Sequence, residues 1–230
     1  MKEESKTKNA PRGERVSILV VDDHPIVRQG MRHLLEQVPE FSVAAEAGDA
    51  REALEAIRAQ RPDVVILDIS LKGMDGLELT KAIRAQYETL PVLIMSMHDE
   101  SLYAERVLRA GGNGYIMKHE VADNVIQAVR QVLRGQIYVS ENIRQRILQG
   151  LGTSRPDLAA SPVERLSDRE LEVFQLIGRG LGTRRIAEEL HLSVKTIETY
   201  RAHIKEKLGL ETAAELVRRA VQWVETEGST

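Results

Sequence analysis

The sequence predicts an α/β chain: a doubly wound, five-stranded parallel sheet, then a small all-α domain of four helices containing a helix-turn-helix. Three observations carry that expectation. Between Val16 and Arg134, five short continuous apolar runs alternate with segments of helical periodicity. After Gly135 the alternation stops and a stretch rich in Gly, Ser and Pro follows. From Leu166 to about Val224 there are no strand signals, only four helical stretches.

The runs are SILVVDD (17–23), FSVAAEA (41–47), DVVILDI (63–69), PVLIMSM (91–97) and NGYIMK (113–118). Largely continuous apolar runs, without a strict polar alternation, imply strands buried on both faces, as in parallel sheets covered by helices. Between them, apolar residues fall at i, i+3, i+4 spacing, as at Ala53, Leu54 and Ile57, or at Val107 and Leu108. Right-handed crossovers then give a doubly wound sheet. SENIRQRILQG (140–150) suits one helix, and GTSRPDLAASPVER after it reads as a flexible linker. Ser167 and Glu170 have capping-box spacing and open a helix that turns Leu171, Phe174, Leu176 and Ile177 inward. Thr183 is expected to cap a short helix through Leu190. Ser193 is expected to cap a third, Val194 to Leu208, closed by Gly209. With Ile197, Ile204 and Leu208 as its inward stripe, this pair forms a helix-turn-helix. A last helix spans 213–222. The expected boundaries are a disordered tail at 1–14, the α/β domain at 15–135, a linker with one helix at 136–162, and the helical domain at 163–226.

Composition narrows the function. With 32 basic and 35 acidic residues, net charge −3, the chain is not a generally basic nucleic-acid coat, so any such contact needs a local patch. The absence of cysteine removes disulfides, zinc–thiolate sites and a cysteine nucleophile, and suits a reducing compartment. The charged start MKEESKTKNAPRGER lacks the apolar region of a signal peptide. No apolar run approaches the ~18 residues a membrane span needs. A cytoplasmic protein without a membrane partner is expected.

In open α/β sheets ligands bind beyond the carboxyl ends of the strands. There stand Asp22 and Asp23 (first strand), Asp68 (third), Ser96 (fourth) and Lys118 (fifth). Two adjacent carboxylates repel, so a cation is expected between them. Three carboxylates suit Mg2+, a hard cation that takes oxygen ligands and keeps several waters. Two can hold the metal while the third acts as a nucleophile toward phosphorus. Lys118 would pair with phosphoryl oxygens and Ser96 donate a hydrogen bond to one of them. Taken singly, Ser96 reads as a strand-end hydroxyl and Tyr115 as a packing residue. His24 and His98 read as neighbours of the site, and GGNG (111–114) as a tight turn. VVILDIS also suits the acidic strand of a P-loop ATPase, but no GxxxxGK[ST] exists in the chain.

Together, ILVVDDHP, VVILDIS, LIMSM and GYIMK resemble the CheY-like receiver domain of two-component response regulators, over about residues 16–135. The resemblance implies that Asp68 is the phosphoacceptor, and that Asp22, Asp23 and Asp68 hold Mg2+ with the backbone carbonyl of Ser70. It further implies Ser96 as the switch hydroxyl, Tyr115 as the aromatic that moves with it, and Lys118 as the phosphate partner. Lys72 and His119 stand where such receivers often carry proline.

LSDRELEVFQLI and IAEELHLSVKTIETYRAHIKEKLGL closely resemble the LuxR-type four-helix DNA-binding domain, over about 163–225. This implies that Glu198, Thr199 and Ala202 face base edges, while Lys195, Thr196, Arg201 and Lys205 contact phosphates. The final helix would pair two copies on two half-sites. Tyr200, Glu198, Gly182 and Arg185 depart from the usual pattern and bear on which DNA sequence is read. As a whole the chain resembles a NarL/FixJ-class response regulator: a transcription factor, not an enzyme. A sensor histidine kinase would phosphorylate Asp68, and the added charge would control dimerisation and promoter binding. Two other classes compete. A haloacid-dehalogenase-type phosphatase would need a second Asp two residues after the nucleophile, where Ser70 stands. A pure interaction module would leave the five-residue set unused.

Overall fold

The computed structural model describes residues 15–71, 73–152 and 162–227. The tail expected to be disordered, Lys72 and residues 153–161 of the expected linker lie outside the described residues.

The apolar runs become β1 (Val16–Val21), β2 (Phe41–Ala47), β3 (Val64–Asp68), β4 (Val92–Ser96) and β5 (Gly114–Met117). They form one parallel sheet in the order β2-β1-β3-β4-β5. Between and after them run α1 (Pro25–Glu36), α2 (Ala50–Gln60), α3 (Gly76–Gln86), α4 (Glu100–Arg109) and α5 (Val121–Leu133). β3 and β4 are buried at every position, as continuous apolar strands require. On one face Met31 and Leu35 of α1, with Val125, Ala128, Val129 and Val132 of α5, cover Ile18, Val20 and Ile66. On the other, α2, α3 and α4 pack Ala53, Ile57, Leu77, Ile83, Tyr103 and Val107 against Leu19, Val65 and Ile94.

Asp49, Asp75 and Asp99 each accept a hydrogen bond from a backbone N–H in the first turn of α2, α3 and α4. The chain returns after α5 so that Tyr138 pairs with Gly114, closing the outer edge of β5.

α6 (Glu141–Gly152) follows, and after the undescribed stretch the helical domain comprises α7 (Asp168–Gly178), α8 (Thr183–Glu189), α9 (Val194–Leu208) and α10 (Ala213–Glu227). The capping box at Ser167 and Glu170 is present in both directions. Glu170 also pairs with Lys207 Nζ at 2.6 Å, tying α7 to α9. Ser193 caps α9, and Gly209 ends it in the left-handed region at φ 65°. Leu171, Phe174, Ile186, Ile197, Ile204, Leu216 and Ala220 form the core, which is continuous with the α2/α3/α4 side of the sheet.

Two local expectations are corrected. Thr183 is the first helical residue of α8 rather than its cap; extended Gly182 takes the cap position, without a side-chain bond. α10 runs past 222 because Trp223 continues the apolar spacing of Leu216 and Ala220 and packs on Phe174, ring centroids 5.6 Å apart.

Gly76 begins α3 directly behind Asp68. A Cβ there would lie 2.2 Å from the Asp68 carbonyl oxygen and 2.8 Å from Ile69 Cα, both backbone atoms that cannot step aside. Gly76→Ala is expected to lower folding stability by about 3 kcal/mol, the upper end for overpacking. Urea unfolding should show a lower midpoint with an unchanged slope.

Candidate functional site

Parallel register brings the strand ends level. Val21 pairs with Leu67, Asp68 with Met95, and Ser96 with Met117. Asp22, one residue past β1, therefore stands beside Asp68 at the end of β3, while Lys118, one past β5, reaches back across the edge.

Lys118 is a cation at this edge, but it bridges Asp22 and Asp68 rather than the adjacent Asp22 and Asp23. Its Nζ donates to Asp22 Oδ2 at 2.8 Å and to Asp68 Oδ2 at 2.7 Å. Asp22 is fully buried and Asp68 2% exposed. Burial pushes the Asp68 carboxyl above the usual carboxylate range, and nearby Asp22 adds to this, against the pull of Lys118 and a bond from the Ser70 backbone N–H. Burial works against the Lys118 charge as well, yet the carboxylates hold its pKa above the ordinary lysine value. Asp23 pairs instead with His24, whose Nδ1 lies 2.6 Å from Asp23 Oδ1 and 3.3 Å from Asp22 Oδ1.

Asp22, Asp23, His24 and Asp68 offer ligand atoms within 4.8 Å of one another. Three of the four are carboxylates, the hard oxygen donors that Mg2+ prefers over imidazole nitrogen, so the donor set fits that ion. Lys118 supplies the positive charge at two of these carboxylates.

Ser96 is fully buried, and its Oγ accepts from the His98 N–H at 3.1 Å. Tyr115 is buried on the same side, its hydroxyl donating to the His98 carbonyl oxygen at 2.7 Å. Burial raises the Tyr115 phenol well above its ordinary pKa, so it stays a donor. The Lys118–His119 bond is trans, like every described peptide bond, and Lys118 opens a short 3-10 turn.

On α9, Lys195, Glu198, Thr199 and Ala202 are exposed, while Thr196, Arg201 and Lys205 are half-buried. Thr196 Oγ1 lies 2.7 Å from the capping Ser193 Oγ, and Thr199 Oγ1 donates to the Lys195 carbonyl within the helix. Glu198 forms no ion pair among the described residues. Burial lowers the Arg201 pKa without an acidic neighbour to offset it.

The residues that sequence reasoning missed lie between the two domains. From α7, Arg169 Nη2 donates to the Leu71 carbonyl at 3.1 Å and Arg169 Nε lies 3.8 Å from Asp75. Glu172 Oε1 accepts from Ser70 Oγ at 3.2 Å and lies 3.6 Å from His98 Nε2. Gln175 Oε1 accepts from the Tyr103 hydroxyl at 3.4 Å. Asp168 meets Arg106 at 3.0 Å and Lys81 at 3.6 Å, and His191 lies 3.7 Å from Asp23. The available signal was the spacing: residues 169, 172 and 175 recur at i, i+3, i+6 as a polar stripe on α7, which in sequence is indistinguishable from a solvated face.

Comparison with known proteins agrees with this architecture. Residues 18–130 match the response regulator receiver domain, and residues 164–220 match the bacterial regulatory proteins of the luxR family. The oxygen regulatory protein NreC of Staphylococcus epidermidis is 37% identical over 212 residues, covering 90% of this chain and 97% of that protein. The response regulator UvrY of Escherichia coli is 34% identical over 207 residues, covering 90% and 94%. Among solved structures, the RcsB response regulator of Salmonella typhimurium aligns over 90% of this chain and 98% of its own with a TM-score of 0.63 at 26% identity. RcsB bound to a promoter in the presence of phosphomimetic BeF3− gives 0.60 at 27% over the same shares. With both halves matched and relatives alike over nearly their whole length, the chain belongs to the NarL/FixJ-type response regulators, a receiver domain joined to a LuxR-type DNA-binding domain.

Proposed function

We propose that Asp68 accepts a phosphoryl group from a phosphohistidine of a sensor kinase, and that this controls promoter binding by α9 and dimerisation through α10. The observation that carries the reading is the Lys118 ammonium bridging Asp22 and Asp68 at a level strand edge, with Ser96 beside them. An Asp68 carboxylate oxygen attacks phosphorus, the O–P bond forms, and the P–N bond breaks toward the imidazole, which keeps the electron pair and takes up a proton. Mg2+ held by Asp22, Asp23, Asp68 and the Ser70 carbonyl would offset charge on the phosphoryl oxygens. Lys118 pairs with one of those oxygens, exchanging a carboxylate partner for a phosphoryl one. Ser96 turns its hydroxyl to another, and Tyr115 follows. The working boundaries are 15–135 for the receiver and 163–226 for the DNA-binding domain. On DNA, Glu198, Thr199 and Ala202 are assigned to base edges, and Lys195, Thr196, Arg201 and Lys205 to phosphates. Among the described residues no helix is long and apolar enough to cross a membrane, which agrees with work in the cytoplasm.

Acetyl phosphate with Mg2+ tests the reading directly: the wild type should gain one phosphoryl group by intact mass, and Asp68→Asn none. The Asn variant should also unfold at a higher temperature near neutral pH, because it removes a carboxylate that is unfavourable to ionise in the folded state. The sign follows from the raised pKa: the folded protein binds the proton more tightly, so the penalty exists only where the unfolded carboxyl is ionised. The gain should shrink as pH falls through the acid range.

Calorimetric titration should show Mg2+ binding weakened roughly tenfold or more by Asp22→Asn, since ligand charge sets affinity at such sites. Against a pool of random-sequence duplexes, Lys195→Ala should weaken binding uniformly and reduce the salt slope by about one. Glu198→Ala should instead change which sequences are enriched.

A further inference from the structure

His98 stands at the meeting point of three groups of residues. Its N–H bonds Ser96 Oγ and its carbonyl accepts from Tyr115, the two proposed switch residues. Its ring stacks on Tyr103 with centroids 4.7 Å apart, and Tyr103 reaches Gln175 of the DNA-binding domain. Its Nε2 lies 3.1 Å from Ser70 Oγ and 3.6 Å from Glu172 Oε1. Proton accounting orients this chain of bonds. Ser70 has one hydroxyl proton and gives it to Glu172, so at Ser70 Oγ the His98 Nε2 must be the donor. The other ring nitrogen, Nδ1, is buried without a hydrogen-bond partner.

Glu172 is 4% exposed at its side chain, and that burial works against its charge. The nearby His98 ring and the pull of Arg169, 2.6 Å away, nevertheless hold its pKa below the usual range. A carboxylate from the DNA-binding domain is thus kept ionised in a dry contact two bonds from the phosphorylation site. Ser70 joins the two: its backbone N–H bonds the Asp68 carboxylate and its hydroxyl bonds Glu172.

We propose that His98 and Glu172 form a latch between the phosphoryl pocket and the DNA-binding domain, with His98 the positioning residue through which Ser96 and Tyr115 act on Glu172. The latch rests on the phosphorylation reading above. When Ser96 turns to a phosphoryl oxygen, the His98 N–H loses its acceptor and Tyr115 withdraws its hydroxyl from the His98 carbonyl. The backbone that aims the ring is released. A new negative charge meanwhile arises on the residue that Ser70 bridges to Glu172. Both changes disfavour the buried carboxylate, and α7 departs with Arg169, leaving the Leu71 carbonyl and Asp75.

The chain has no cysteine, so labels can be placed cleanly at R51C in the receiver and R185C in α8 of the full-length protein, both strongly exposed. Energy transfer between them reports closure. Without a phosphoryl donor, E172A and H98A should each reduce the closed population about tenfold, the scale of losing a hydrogen bond to a charged group. H98Q, which keeps a donor near the Nε2 position, should stay closed. The double variant should open no further than either single one, and acetyl phosphate with Mg2+ should open the wild type to a similar degree. E172A as closed as a wild type that opens on phosphorylation would overturn the latch and leave the switch standing. Additive effects of H98A and E172A would reduce His98 to a packing residue and overturn the coupling. A wild type that takes up the phosphoryl group by intact mass yet stays closed would overturn the latch and leave the phosphorylation reading standing, whereas one that takes up none would overturn that reading, and the latch with it.

Discussion

The Lys118 ammonium between Asp22 and Asp68 is the constraint around which the rest of the receiver is arranged. Two carboxylates buried side by side are too costly to ionise without a partner. The ammonium reaches both only if the fifth strand ends level with the first and third. Register and electrostatics are therefore one requirement. A slip in β5 would move Lys118 off the edge and reverse the faces of the strand. The same bridge suits the proposed phosphoryl switch: the pocket is held by charge rather than by shape, so a new anion would compete for the same ammonium.

Much of this was legible in the sequence because it follows from periodicity and from strand ends. Continuous apolar runs marked the buried strands, and the polar residues that interrupted each run sat at the carboxyl edge, where a doubly wound sheet gathers its ligands. Caps were legible for the same reason, since Ser167, Ser193 and Gly209 act within one turn. Thr183 misled because a hydroxyl beside a glycine suggests a cap, whereas extended Gly182 already fills that role. The end of α10 was missed because Trp223 counts as core only once Phe174 is known to lie opposite.

The interface between the domains was not legible, and for a definite reason. Arg169, Glu172 and Gln175 are long polar side chains at helical spacing, and in sequence such a stripe means solvent. Their burial depends on partners about 60 to 100 residues away, among them Leu71, Ser70 and Tyr103. His98 was discounted in the same way. A lone histidine after a strand has no local signature of coupling. Its position is visible only when its backbone bonds to Ser96 and Tyr115 and its ring contacts with Ser70 and Glu172 are taken together.

A polar interface of this kind suits a contact that must be given up. Apolar docking of the same area would hold regardless of charge in the pocket, whereas buried ion pairs roughly offset their own desolvation cost. The ion pairs at this interface therefore add little net stability of their own beside the apolar core that runs across it. The DNA side has the matching property. Tyr200 of α9, its phenol pushed up by burial, lies near enough to Arg169, Glu78 and Asp75 to feel their charges. Its neighbour Arg201 is a half-buried cation with no acidic partner among the described residues. Under the proposed DNA assignment, a phosphate backbone would offer that cation a counter-charge. In the proposed switch the phosphoryl group favours departure of α7, and to the extent that DNA binds the departed form better, thermodynamic linkage makes each strengthen the other.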